Sequence, residues 1–259
     1  MKILFLGDIV AQSGVSAVCA STPLLQAQYH PDFIIANGEN AADGKGMTRE
    51  LYTRLKAAGI DVITLGNHAF SKRAFLQDAE DCPDIIWPAN IGSYAPQRPV
   101  LIRIVKEKRV AVLNILGNVF MNADYEDPIL VTKKIMNHIS ADIILIDFHA
   151  EATSEKSIYF QYFKDRVTAM IGTHTHVQTA DEKVENGCAF ISDVGMCGPY
   201  DSVLGRDRNE AMDHAITGCS HYRPSDKEAV VCGLMIDIDD HTNRAVSIER
   251  IQLRPGSND

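Results

Sequence analysis

Residues 166–176 read RVTAMIGTHTH: an apolar run that reaches Gly172 and is followed by two histidines one residue apart. A run this short, bounded by glycine, has the length of a buried strand rather than of a core helix. The pattern recurs upstream. Apolar runs over 2–7, 33–36, 61–65 and 142–148 lead into Gly7-Asp8, Asn37-Gly38-Glu39-Asn40, Gly66-Asn67-His68 and Asp147-Phe148-His149. Five strand ends therefore carry oxygen or nitrogen donors, and in α/β folds the carboxyl ends of strands gather at one rim, where sites form.

Outward from these segments, apolar runs at 100–105, 109–116 and 188–192 predict further strands. Amphipathic stretches near 15–29, 48–58, 128–139 and 155–163 predict crossover helices. The C-terminal third changes character: 228–238 and 244–253 read as antiparallel strands around the turn Asp239-Asp240-His241-Thr242-Asn243. Stretches 88–99 and 195–209 read as loops. No repeat or Gly/Ser linker divides the chain, so one domain over 1–259 is expected, a mixed α/β sandwich rather than a purely doubly wound sheet.

Singly, these polar residues say little. Asp8 after a glycine serves equally well as a turn or cap residue, and a lone His149 beside a strand is more often structural. Jointly they say more, because polar groups at five apolar strand ends are costly without a compensating ligand. The pair His174-Thr175-His176, read as strand, points both imidazoles the same way. Hard oxygen donors mixed with imidazoles suit iron, manganese or zinc.

Composition narrows the remaining classes. The six cysteines form no C-x-x-C pair, which argues against a zinc knuckle and a disulfide framework and predicts reduced thiols in a cytoplasmic protein. A net charge of -9 argues against a polymeric nucleic-acid partner, whereas a small phosphoester remains compatible because divalent ions invert the local field. Ile3 to Leu6 is too short for a signal or a membrane span, so no membrane partner is expected.

The motif order GD, GEN, GNH, a lone histidine after a strand and GTHTH resembles the calcineurin-like metallophosphoesterases, and more closely their YmdB family. The segments that carry the resemblance are NGENAADGKG from Asn37, GNHAFSK from Gly66, DFHAEATSEK from Asp147, GTHTHVQTADE from Gly172 and DVGMCGPYDSVLG from Asp193. Val10 stands where many superfamily members have histidine, and Glu39 replaces the usual bridging aspartate; both agree with the YmdB subgroup. Ala69 follows GNH where an acid is usual, which removes a carboxylate that would orient His68.

The resemblance implies a four-layer α/β/β/α sandwich and two divalent or mixed-valence metal ions, iron or manganese ahead of zinc. It implies one metal on Asp8, Glu39, Asn40 and His176, and the other on Glu39, Asn67, His149 and His174, with Glu39 bridging. It further implies a phosphodiesterase acting on small nucleotides, 2',3'-cyclic nucleotides in particular, and a homo-oligomer. Two metals can share a hydroxide as nucleophile. His68, next to a ligand, is expected to stabilise the transition state and protonate the leaving oxygen; its plainer role is a supporting hydrogen bond. Loops 41–47 and 195–209 are the expected substrate walls, with Lys45 and Arg206 as candidate phosphate contacts and Cys197 as a packing thiol. Two other readings stay open: a metal-dependent amidohydrolase, whose barrels also use an H-x-H pair, and a regulatory scaffold with a metal site and little turnover.

Overall fold

The computed structural model describes residues 1–92, 95–96, 98–121 and 125–256. Two sheets face each other. In the first, β1 (Lys2–Leu6), β3 (Phe33–Asn37), β4 (Val62–Thr64) and β5 (Ile85–Ile86) are parallel neighbours in that order. The long β13 (Ala229–Ile238) runs antiparallel to β1, to β14 (Ala245–Leu253) and to β12 (Met196–Pro199). The two-residue β2 (Asp8–Ile9) lies parallel to β12.

The second sheet has the order β10 (Lys183–Glu185), β11 (Cys188–Ile191), β9 (Ala169–Thr173), β8 (Ile143–His149), β7 (Lys108–Leu116) and β6 (Leu101–Val105). Its central four strands are parallel and each edge strand is antiparallel to its neighbour. Among the described residues six helices accompany the sheets: α1 (Ala11–Tyr29), α2 (Arg49–Ala57), α3 (Arg73–Asp78), α4 (Pro128–Met136), α5 (Thr153–Phe163) and α6 (Arg208–Thr217).

Strand alternation builds the layers. Side chains of consecutive strand residues point to opposite faces, and both faces here are apolar. On β1, Ile3 and Phe5 join a core between the sheets with Val110, Val112, Leu145 and Ile171, while Leu4 and Leu6 join the core under α1 and α2 with Val15, Val18 and Leu55. On the second sheet, Ala111, Leu113, Ile146, Phe148 and Met170 pack outward against Tyr159, Phe160 and Phe163 of α5. The result is the expected α/β/β/α sandwich, and it removes the barrel on which the amidohydrolase reading depended.

The predicted strands and helices agree with β1, β3, β4, β6, β7, β8, β9, β11, β13 and β14 and with α1, α2, α4 and α5 to within a few residues. The stretch 195–209 is not all loop, since it contains β12 and the start of α6. The stretch 88–99 carries no regular element among its described residues; Ser93, Tyr94 and Gln97 lie outside them. No described helix is long and apolar enough to cross a membrane.

Phe5 is fully buried between the sheets. Phe5→Ala is expected to lower the unfolding free energy by about 3–5 kcal/mol, read as a lower urea midpoint with an unchanged slope.

Candidate metal centre

The carboxyl ends of β1, β3, β4, β8 and β9 meet at one rim and deliver each proposed metal ligand together with His68. Asp8 follows β1, Glu39 and Asn40 follow β3, Asn67 and His68 follow β4, His149 ends β8, and His174 and His176 follow β9. The spacing of the histidine pair predicts a place on the strand, and the structure puts both residues beyond its end. Strand β9 stops at Thr173, and His174 and His176 take positive φ values of 102° and 66°. Such conformations cost about 1–3 kcal/mol each for a non-glycine residue and persist where the surroundings impose them.

The fully buried Nε2 of His149 is the meeting point. Glu39 Oε1 lies 3.1 Å from it, Asn67 Oδ1 3.1 Å and His174 Nδ1 3.0 Å. One proton on that nitrogen can serve only one of these neighbours, whereas a cation among them takes a lone pair from each, so the donors fit a bound metal. Glu39, His149 and His174 each offer a ligand atom within 4.8 Å of the others. Beside them, Asp8 Oδ2 accepts the His174 backbone N–H at 3.2 Å, and Asp8 Oδ1 is buried without a hydrogen-bond partner. His176 Nε2 faces Asn40 Oδ1 at 3.2 Å.

The ligand candidates are aimed by groups behind them. Thr173 Oγ1 donates to Asp147 Oδ1 at 2.6 Å and so accepts from His149 Nδ1–H at 2.8 Å, which leaves Nε2 to face the cluster. The Leu204 carbonyl accepts from His176 Nδ1–H at 3.0 Å, which likewise turns His176 Nε2 inward. Asn40 Nδ2 donates to the Gly44 carbonyl at 3.0 Å, aiming Oδ1 at the site. Glu151 Oε2, 3.2 Å from His174 Nε2, holds that ring from outside. The loop after β9 is clamped by Asp193, whose Oδ2 accepts the Thr175 N–H at 2.9 Å and pairs at 2.9 Å with the buried Lys156. Lys156 Nζ also donates to the Thr173 carbonyl at 2.9 Å. Gly66 is the one residue type that fits between β4 and this cluster, since a Cβ there would run into the Glu39 carboxylate and His149 Nε2.

Electrostatics follow from this crowding. Burial alone would discharge His149, but the carboxylates of Glu39, Asp8 and Asp147 outweigh it and hold the ring up at about 9. Burial alone would raise Glu39; the His149 ring and the His68 backbone N–H, 3.0 Å from Oε2, hold it far below the carboxylate range instead. Asp8 lacks so direct a partner, and burial, with Asp193 and Glu39 adding to it, lifts it to about 7 against the pull of His176 and His149. Burial and the neighbouring His149 charge drive His174 down to about 3.

A cavity of about 290 Å³ opens over the cluster, lined by Glu39, Asn40, His68, His174 and His176 and walled by Gly44, Lys45, Leu204 and Arg206 from the two expected loops. Glu151, Thr175 and Tyr222 also line it and were not legible as site residues. Ser71 Oγ, 3.4 Å from His68 Nδ1, stands near the ring that the missing acid at Ala69 leaves without a carboxylate. Cys197 is buried in the core, where its Sγ donates to the Cys232 carbonyl at 3.2 Å, a packing thiol as expected. Asp147 carried a readable signal: on β8 it shares a face with His149, two residues on.

A two-sheet α/β/β/α sandwich with carboxylate, amide and imidazole donors converging at one rim is a metallophosphoesterase-like fold. The chain belongs to the YmdB-like protein family, whose model matches residues 4–251. The 2',3'-cyclic-nucleotide 2'-phosphodiesterase of Bacillus subtilis (strain 168) is 41% identical to it over 257 residues, which span 98% of this chain and 97% of that protein. The structure of a novel phosphatase from Mycoplasma pneumoniae superposes with a TM-score of 0.93 at 31% identity, covering 98% of this chain and 93% of that one. A hypothetical protein from Thermus thermophilus gives a TM-score of 0.92 at 32% identity, covering 98% of this chain and 99% of that one.

His149 raised to about 9 is protonated in the metal-free protein at neutral pH. Its share of metal-free stability is complete below about pH 6.5, the unfolded value, and is lost as pH rises through about 9. Metal must displace that proton, so manganese affinity is expected to rise with pH up to about 9. Calorimetric titrations in buffers of different ionisation enthalpy should show proton release at pH 7.5; no release would mean that His149 does not bind through Nε2. Thr173→Val is expected to weaken manganese binding by about 10–100-fold, measured by the same titration.

Proposed function

We propose that the chain is a metal-dependent phosphodiesterase that hydrolyses small phosphoesters, 2',3'-cyclic nucleotides among them. The observation that carries this reading is the convergence of Glu39 Oε1, Asn67 Oδ1 and His174 Nδ1 on His149 Nε2. The relative from Bacillus subtilis, named for 2',3'-cyclic nucleotides and similar over nearly the whole of both chains, supports the substrate class.

In this reading Asp8, Glu39, Asn40 and His176 hold one cation, and Glu39, Asn67, His149 and His174 hold the second. Iron or manganese, ahead of zinc, is the proposed pair. A cation pair acidifies water for attack and neutralises charge on the phosphoryl oxygens. The remaining work falls to side chains. Glu39 accepts the His68 backbone N–H at Oε2, which ties the position of His68 to the metal site. The His68 imidazole lines the cavity and is the proton carrier for the leaving oxygen. Burial, together with the charges of Lys45, His149 and His176, lowers its pKa despite the opposing Glu39 carboxylate. The free thiols of all six cysteines support a reducing, cytoplasmic setting.

Glu39→Gln removes an anion shared by both proposed sites. The expected outcome is loss of bound metal by elemental analysis together with loss of bis(p-nitrophenyl) phosphate and 2',3'-cyclic AMP hydrolysis. Full activity in a metal-depleted Glu39→Gln sample would refute the mechanism. His68→Ala should keep its metal and turn over about 10²–10⁴-fold more slowly; an unchanged kcat would return His68 to a purely supporting role.

A further inference from the structure

The cavity over the cluster has two chemically different sides. Its floor is the carboxylate, amide and imidazole cluster. Its outer wall is built from segments far apart in sequence, and among the described residues Tyr222 is the only phenyl-type or indole ring on the lining. That ring is held from three directions. A Cβ on Gly44, whose φ is +84°, would overlap the Tyr222 hydroxyl, so the 41–47 loop approaches it as only glycine allows. Lys45 Nζ lies 5.1 Å from the ring centroid and Arg206 Cζ 5.5 Å, both within cation–π range.

Arg206 itself is committed. Its Nε donates to Glu210 Oε2 at 3.0 Å and its Nη2 to Glu210 Oε1 at 2.6 Å, and Ser220 Oγ donates to the same carboxylate at 2.6 Å. Glu210 is the buried residue of α6. A guanidinium paired in this way is poorly suited to clamp a phosphate, because its charge and its fork are already matched. What it offers Tyr222 is a flat brace. Tyr222 remains 38% exposed and lines the cavity, so a preordered aromatic ring shares the chamber with the cluster.

Tyr222 offers the phenolic ring of this lining as a surface for the base of a nucleoside cyclic phosphate whose phosphate lies at the cluster. We propose that Tyr222 is the side chain that recognises the nucleoside part of the substrate, with the Arg206–Glu210 pair holding its ring in place. This rests on the phosphodiesterase reading above and adds to it the group that separates nucleotides from other small phosphodiesters. Stacking on an aromatic ring tolerates any base, so the selection is for the presence of a base rather than its identity.

The test compares 2',3'-cyclic AMP with its abasic counterpart, 1-O-methylribose 2',3'-cyclic phosphate, on the full chain loaded with manganese. The wild-type protein is expected to prefer the nucleotide in kcat/KM. Tyr222→Leu should lower kcat/KM for the nucleotide by about 5–100-fold, mainly through KM, and leave the abasic ester within about twofold. Tyr222→Phe should keep the preference. Tyr222→Gln serves with the same readout where Tyr222→Leu does not fold. Equal loss on both substrates, or no loss on either, overturns the assignment while leaving the phosphodiesterase reading intact. Absence of turnover on both substrates by the wild-type protein overturns the reading itself and this inference with it.

Discussion

The carboxylate of Asp147 is buried where the two sheets meet, and it accepts hydrogen bonds from both of them. Asn37 Nδ2 reaches it at 2.9 Å and Thr64 Oγ1 at 2.5 Å from the first sheet, and Thr173 Oγ1 at 2.6 Å from the second. Burial raises its pKa, and the His149 charge and the three donors pull it back. Removing any one donor would leave a buried lone pair unsatisfied, a cost of about 1–3 kcal/mol. This network fixes how the strand ends of one sheet sit against those of the other. Asn114 extends it, accepting the Leu65 N–H at 3.2 Å and donating to the Asp147 carbonyl at 3.3 Å. This interior polar seam is satisfied from both sheets, and a satisfied buried network holds the rim residues of the two sheets in one mutual arrangement.

The same region carries opposing costs. Left-handed backbone at His174 and His176 and the orphaned Asp8 oxygen disfavour this local arrangement. The Lys156–Asp193 pair, both members almost wholly buried, holds the loop in place against that tendency. A buried pair of this kind contributes little net stability but is expensive to break singly. Its value is therefore geometric, since it sets the backbone from which both histidines project.

Much of this was readable from residue order, and what was not has identifiable reasons. The parallel strands are continuous apolar runs because both faces of each sheet are covered, so β1, β3, β7, β8 and β9 stand out at once. Strands β2 and β5 are two residues each, and β12 contains Gly198 and Pro199, so none shows a strand period. Helix α6 buries only Glu210 and exposes Met212 and Ile216, so it shows no amphipathic stripe. Within the site, donor types at strand ends were legible because they interrupt apolar sequence. The groups behind them were not: the Leu204 carbonyl and Lys156 on α5 owe their roles to contacts across the fold, and Tyr222, beyond the end of α6, reaches the cavity in the same way.

The turn at Leu204-Gly205 is closed by paired backbone hydrogen bonds between Val203 and Arg206, with both central residues at positive φ. Its carbonyl fixes the tautomer of His176 while its side chain and the next arginine shape the chamber mouth. One short ribbon thus has two masters. Grafting a differently shaped ribbon to admit a bulkier ester would loosen the imidazole grip as well, and the facing loop is tied to the same cluster through the Gly44 carbonyl that aims Asn40, so the width of the chamber and the aim of its ligands are set together.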